Sequence, residues 1–242
     1  MRIIAIIQAR MGSLRLPGKT LMKINGKALV EIVANRIKKA SGIDKIIVAT
    51  SNTQKDDPVA EFLKEKKIEV FLGHETDLLK RYYDAAAQYK ADIIIRICGD
   101  QPLVDPQAID LCLQKHLQNS KADFTYCKHP KGWPDGTGCE IISWSALQRA
   151  QKQCTDSFER EHIQPFFLNH QTEHTIETLD APPELYCPNI HLAIDTKADF
   201  DKITKIYQEL LFKSNANDDK IISIMEVTKK IKEETINNPP KD

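Results

Sequence analysis

An α/β fold, with an open and mostly parallel sheet covered by helices on both faces, follows from three features of the 242-residue sequence. Continuous apolar runs of strand length recur at Arg2–Gln8, Lys45–Thr50 and Asp92–Ile97. Segments with helical spacing separate them, and a Gly- or polar-rich turn follows each run. Runs without polar alternation suit strands buried on both faces, and strand–helix alternation demands parallel strands joined by right-handed crossovers.

In chain order, Arg2–Gln8 is the first buried strand. After a basic loop, Ala28, Leu29, Ile32, Val33, Ile37 and Ala40 repeat at helical spacing, and Ser41-Gly42 stops that helix. Lys45–Thr50 is a second strand, Pro58–Lys66 a helix, Ile68–Phe71 a short strand and Asp77–Lys90 a helix. Asp92–Ile97 is a strand ending at Gly99, and Pro106–Leu117 is helical. Ala122–Cys127 and Gly138–Ser143 read as strands, Asp156–Asn169 as one helix and His174–Leu179 as an edge strand. His191–Ile194 is apolar up to Asp195, and Lys197–Phe212 and Ile221–Glu234 are helical. With no repeats or linker-like composition, this reads as a single domain over 1–236. A lobe is inserted at about 122–190, and 237–242 is a frayed tail.

Lys+Arg and Asp+Glu both number 34, so a formal net charge of zero removes whole-molecule attraction to nucleic acid or membrane. An anion must be held by a local cluster. No run reaches the roughly 18 apolar residues of a membrane span, and Gln8 and Arg10 end the first run too early for a secretory signal, so a cytoplasmic location is expected. The six cysteines have no C-x-x-C pair and are expected to be free, structural thiols; Cys98 stands out because it borders a strand-end turn.

Ligands of such sheets bind beyond the carboxyl ends of the strands. That groups the Gln8–Lys19 loop, the Ala49-Thr50-Ser51-Asn52 turn and the Gly99-Asp100-Gln101-Pro102 turn on one edge. Gly18-Lys19-Thr20 ends like the phosphate loop of an ATPase. However, five residues separate Gly12 from Gly18, Pro17 interrupts the curl, and Thr20–Gly26 stands before the helix. A broader phosphate-binding role survives, with Gly12 and Gly18 admitting close backbone approach and Arg10, Arg15 and Lys19 supplying charge.

The stretch Ile6-Ile7-Gln8-Ala9-Arg10-Met11-Gly12-Ser13-Leu14-Arg15-Leu16-Pro17-Gly18-Lys19 resembles the signature of the cytidylyltransferases, the superfamily of the CMP-sialic acid and CMP-KDO synthetases. Its form is most similar to the spore coat polysaccharide biosynthesis (SpsF) branch. Further segments fall in the expected order: Asp77–Tyr83, Arg96–Pro106, Pro134-Asp135-Gly136, Arg160-Glu161-His162 and Ile194-Asp195-Thr196. Leu14 departs from the pattern, standing where the family usually has a small hydroxyl residue.

The resemblance implies a Rossmann-like nucleotide-diphospho-sugar transferase fold and a Mg²⁺-dependent enzyme. That enzyme would transfer CMP from CTP to a sugar or sugar acid, release pyrophosphate for surface polysaccharide synthesis, and work as a homodimer. Arg10, Lys19 and Asp100 are then the catalytic candidates. Gln8, Ala9, Gly12, Ser13, Arg15, Thr50, Ser51, Asn52 and Arg81 are candidates for the nucleotide, and Asp100 and Asp195 for the metal. Gln101, Asp135, Glu140, Arg160 and His162 are candidates for the acceptor.

Each residue also has a structural reading: Asp100 as a turn cap, Asp195 as a helix cap, and Asp77 with Arg81 as an i, i+4 surface pair. Trp133 suits a sugar face or a dimer contact, while His129, His170 and His174 show no ligand spacing. The competing functions are a glycosyltransferase, which more often carries an Asp-x-Asp motif, CMP transfer to a non-sugar acceptor, and a non-catalytic nucleotide-binding partner.

Overall fold

A computed structural model describes residues 1–127, 131–213 and 222–237. The first strand, β1 (Ile3–Gln8), is central. After the basic loop, whose last turn is a 3₁₀ helix at Lys19–Leu21, two short strands, β2 (Lys23–Ile24) and β3 (Lys27–Ala28), form a hairpin. Asn25 and Gly26 make its two-residue turn, both with positive φ, the form favoured by the twist of paired strands. The chain continues through α1 (Leu29–Ile37), β4 (Lys45–Ser51), α2 (Asp57–Glu65), β5 (Val70–Gly73) and α3 (Leu78–Gln88). Next come β6 (Ile93–Cys98), α4 (Pro106–Gln118), β7 (Phe124–Tyr126), β8 (Glu140–Ser143) and α5 (Trp144–Gln153). It ends with α6 (Ser157–His162), α7 (Gln164–Asn169), β9 (Ile176–Thr178), α8 (Lys197–Lys213) and α9 (Ile224–Asn237).

Seven strands form one sheet in the order β5-β4-β1-β6-β8-β7-β9. β1 pairs in parallel with β4 and β6, β4 with β5, and β7 with β9; β8 runs antiparallel to both its neighbours. The fold is therefore the mostly parallel, helix-flanked sheet that the sequence predicts. The strands of residues 122–190 extend this same sheet.

Alternate residues of β1 enter different cores. Ile3, Ala5 and Ile7 join one cluster with α1 and α4, while Ile4 and Ile6 join another with α3 and α5. Burial on both faces explains the unbroken apolar runs.

The helix expected over Asp156–Asn169 is broken into α6 and α7. Pro165 has no N–H to continue the helical ladder, and the chain turns at Ile163, whose φ is +59° and ψ −56°. Trp133, expected at a sugar face or a dimer contact, is instead fully buried, with Nε1 donating to the Leu179 carbonyl at 2.8 Å. His129 lies outside the described residues.

Candidate active site

The strand order reverses at β1: β4 and β5 lie to one side, β6 and β8 to the other. Such a switch point leaves a crevice beyond the carboxyl ends of the two strands that diverge, here at Gln8 and Cys98. A cleft of about 390 Å³ lies there.

The basic loop is fastened over it by its own backbone and by one carboxylate. The amides of Ser13 and Gly18 both donate to the Met11 carbonyl, and Gly18 takes φ +73°, a conformation that favours glycine. The Thr20 hydroxyl donates to the Arg10 carbonyl at 2.8 Å. Asp56 accepts from the amides of Met11 (2.7 Å) and Ser51 (3.0 Å), tying the loop to the end of β4. Burial acts to raise the pKa of Asp56, but hydrogen bonds from Ser51 and Met11 outweigh it and hold the carboxyl below its ordinary value.

Opposite charges meet inside the cleft. Lys19 Nζ lies 2.8 Å from Asp100, 3.5 Å from Asp195 and 2.7 Å from the Ile194 carbonyl, to which it donates. The backbone holds the two acidic segments together, since the Ile194 amide donates to the Asp100 carbonyl at 2.9 Å. Arg15 pairs with Asp195 at 2.8 Å and Arg10 with Glu161 at 3.1 Å.

Neither Asp100 nor Asp195 is used up as a cap. Asp105 caps α4, while Thr196 and Asp199 satisfy the start of α8 reciprocally. Two carboxylates and a carbonyl converge on the Lys19 ammonium, which marks a hard oxygen donor set able to hold a divalent cation.

Arg81 lines the cleft from α3, buried to 3% exposure, with Nε and Nη1 lacking any hydrogen-bond partner. Burial is the main cause that holds its pKa below the ordinary value, and the neighbouring Arg10 charge adds to it. An unsatisfied buried guanidinium is costly, and an entering anion removes that cost. The alternative reading of Asp77 and Arg81 as a surface ion pair does not hold among the described residues. Asp77 instead caps α3 through the Lys80 amide and pairs with Arg160 at 2.7 Å.

Of the predicted residues, Gln8, Ala9, Arg10, Ser13, Arg15, Lys19, Arg81, Asp100, His162 and Asp195 line the cleft. Gly12, Thr50, Ser51, Asn52, Gln101, Asp135, Glu140 and Arg160 are not among its lining residues. Thr50 and Ser51 are buried in β4, and Ser51 serves Asp56. Glu140 is fully buried and pairs with Arg96 at 2.6 Å, in register across β6 and β8. Arg160 is held by Asp77, Gln151 and the Cys154 carbonyl, and Asp135 by His191 at 2.6 Å. Gln101 is buried.

The model of the cytidylyltransferase family matches residues 4–231. The chain belongs to the cytidylyltransferase family. The spore coat polysaccharide biosynthesis protein SpsF of Bacillus subtilis (strain 168) is 30% identical over 228 residues, covering 92% of this chain and 93% of that protein. A solved cytidylyltransferase from Leptospira borgpetersenii serovar Hardjo-bovis (strain JB197) is 28% identical, with a TM-score of 0.88 over 100% of this chain and 99% of its own. A CMP:2-keto-3-deoxy-manno-octonic acid synthetase solved in complex with CTP shares the fold at 18% identity. Its TM-score is 0.68, over 87% of this chain and 100% of its own.

Some parts of this cytidylyltransferase's cleft escape sequence reasoning. Glu161, Thr20, Thr76 and Leu78 line it, and Asp56 braces the loop from outside. Glu161 was visible as the central residue of Arg160-Glu161-His162. Asp56 gave no signal, because the loop residue that it holds, Met11, is distant in sequence.

Proposed function

We propose that the enzyme transfers CMP from CTP to the hydroxyl of a sugar or sugar acid, releasing pyrophosphate, in the synthesis of a surface polysaccharide. The observation that carries this reading is the cleft at the β1/β6 switch point, where Arg10, Arg15, Lys19 and the unpartnered Arg81 face Asp100 and Asp195. The match to the cytidylyltransferase family supports cytidylyl transfer, and the SpsF relative supports a role in polysaccharide synthesis.

In the reaction the acceptor oxygen forms a bond to the α-phosphorus, its hydroxyl proton leaves to solvent, and the bond from the α-phosphorus to the bridging oxygen of the β-phosphate breaks. Negative charge then collects on the leaving pyrophosphate. Such transfers depend on alignment and charge neutralisation. Lys19 and Arg10 hold the triphosphate, and Arg15 and Arg81 take up charge that develops on the leaving group. Gln8 and Ala9 line the floor beneath the base. Glu161 and His162, carried by α6, approach from the acceptor side.

Asp100 and Asp195 would hold Mg²⁺, which would supply positive charge to offset that of the phosphates. Lys19, which pairs with both carboxylates, is a cation within reach of a phosphate at this end of the cleft.

Pyrophosphate release with each of CTP, UTP, ATP and GTP, Mg²⁺ and a panel of sugar acids tests the proposal. Release selective for CTP is expected, and none with any pair would overturn it. Asp100→Asn keeps the thermal midpoint within a few degrees but lowers metal-dependent turnover by about 10²-fold or more. Full activity in that variant would remove Asp100 from the metal role.

A further inference from the structure

The cysteines that show no motif in sequence converge in space. Cys112 lies on α4, Cys127 directly follows β7 and Cys139 directly precedes β8. All three are fully buried, and their Sγ atoms lie within 4.8 Å of one another. The backbone enforces the approach: the Cys127 amide donates to the Cys139 carbonyl at 3.2 Å, and Cys127 Sγ accepts from the Cys139 amide at 3.4 Å. Gly138 is what permits it, since a Cβ there would lie 1.5 Å from the Cys127 carbonyl oxygen.

We propose that Cys112, Cys127 and Cys139 form a buried site for a thiophilic d¹⁰ cation of the Cu(I)/Zn(II) class, clamping α4 to the β7–β8 pair. A metal–sulfur bond of about 2.3 Å sets sulfur–sulfur edges of about 3.8 Å in a tetrahedral site and about 4.0 Å in a trigonal one. The Cys127–Cys139 edge is 3.7 Å. Simple burial of small apolar side chains does not require three sulfurs from three elements to meet. Among the described residues no carboxylate or imidazole belongs to the cluster, and its three sulfurs favour soft cations over hard ones such as Mg²⁺ and Ca²⁺. The Ala108 carbonyl oxygen lies 3.6 Å from Cys127 Sγ.

Binding is a proton exchange without electron transfer. Three S–H bonds break, three metal–sulfur bonds form, and three protons leave to solvent. Each thiol must lose its proton to become a ligand, so protons and the ion compete for the same three sulfurs. Affinity therefore falls as the pH is lowered. The site is separate from the nucleotide cleft.

The test uses the full chain with all six cysteines reduced. Zn(II) is supplied in one arm, with Cd(II) as its spectroscopic reporter, and Cu(I) under anaerobic conditions in the other. Each ion is added to native protein and, separately, during refolding.

The expected result is one equivalent retained per chain, with a thiolate-to-metal charge-transfer band and, in mild denaturant, slower alkylation of Cys112, Cys127 and Cys139 in the loaded protein than in the metal-free protein, while Cys98 reacts in both. At a hundred-fold excess over the dissociation constant, the thermal midpoint rises by about 5–10 °C. Retention of Cu(I) alone identifies a three-coordinate site, and retention of Zn(II) and Cd(II) one with a fourth ligand. Cys187→Ser keeps binding and Cys127→Ser loses it. If Cys127→Ser does not fold, the alkylation pattern of the unsubstituted chain decides. No retained ion by either route, or retention with these three thiols reacting as fast as in the metal-free protein, overturns the proposal.

Discussion

Arg81 separates stability from function at the scale of a single residue. Its buried guanidinium has two nitrogens without partners, a cost to the fold that a bound anion would remove under the proposed function. Arg81→Met removes the charge and keeps a long apolar stem. The melting temperature without nucleotide is expected to stay level or rise. CTP affinity, measured by calorimetry, is expected to fall by about 10- to 150-fold, the equivalent of one charge-assisted contact. Unchanged affinity would remove Arg81 from the phosphate site. Its role was readable in part, because Arg81 belongs to the Asp77–Tyr83 segment that resembles the family. Its lack of partners was not, since that depends on Asp77 turning away toward Arg160.

Between elements, the pairing of β6 with β8 places Arg96 directly opposite Glu140, a fully buried ion pair next to the strand end that carries Cys98 and Asp100. Breaking one partner of a buried pair leaves an uncompensated charge and costs about 3–5 kcal/mol. Glu140→Gln is therefore expected to lower unfolding free energy by that amount, seen in denaturant melts, while a change below about 1 kcal/mol would argue against the pairing.

Elements with one strong local signal were legible. The apolar run of β1 announces a two-sided strand, and α4 is announced by Asp105-Pro106 followed by a helical pattern. The break at Ile163 was harder to place, because Phe166 and Phe167 continue the helical pattern across Pro165. The β2–β3 hairpin was also passed over, although Asn25-Gly26 is a strong short-range hairpin signal. Glu140 could not be assigned from sequence. Only the antiparallel register tells whether its side chain meets a ligand or another strand.

At the scale of the molecule, sheet order decides where the cleft lies, and the β-α alternation was enough to infer it. The thiol cluster was not legible, because it joins a helix to two strand ends across the fold. Global stability also depends on pH through His116, which is buried beside Thr125 at 2.8 Å. Burial lowers its pKa to about 4, against opposing influence from Asp123 and Glu177. The folded value lies below the unfolded value of about 6.5, so the unfolded chain binds the extra proton first and stability is lost as the pH falls between them. This one group removes about 2 kcal/mol between pH 7 and pH 5. His116→Gln is expected to flatten that part of the stability profile, and an unchanged slope would assign it to other groups.

The pairing of Arg10, Arg15 and Lys19 with carboxylates has a consequence for ionic strength. A triphosphate entering this cleft exchanges one set of ion pairs for another, and added salt weakens both sets. The dissociation constant for CTP should therefore change less with potassium chloride than it would in a cleft of unpaired cations. Glu161→Gln, which frees Arg10, should tighten binding at low salt and steepen the salt dependence. An unchanged slope in that variant would mean that Glu161 does not compete with phosphate for Arg10. The carboxylates thus act as a built-in counterion atmosphere, which buffers nucleotide capture against the salt of the surrounding solution.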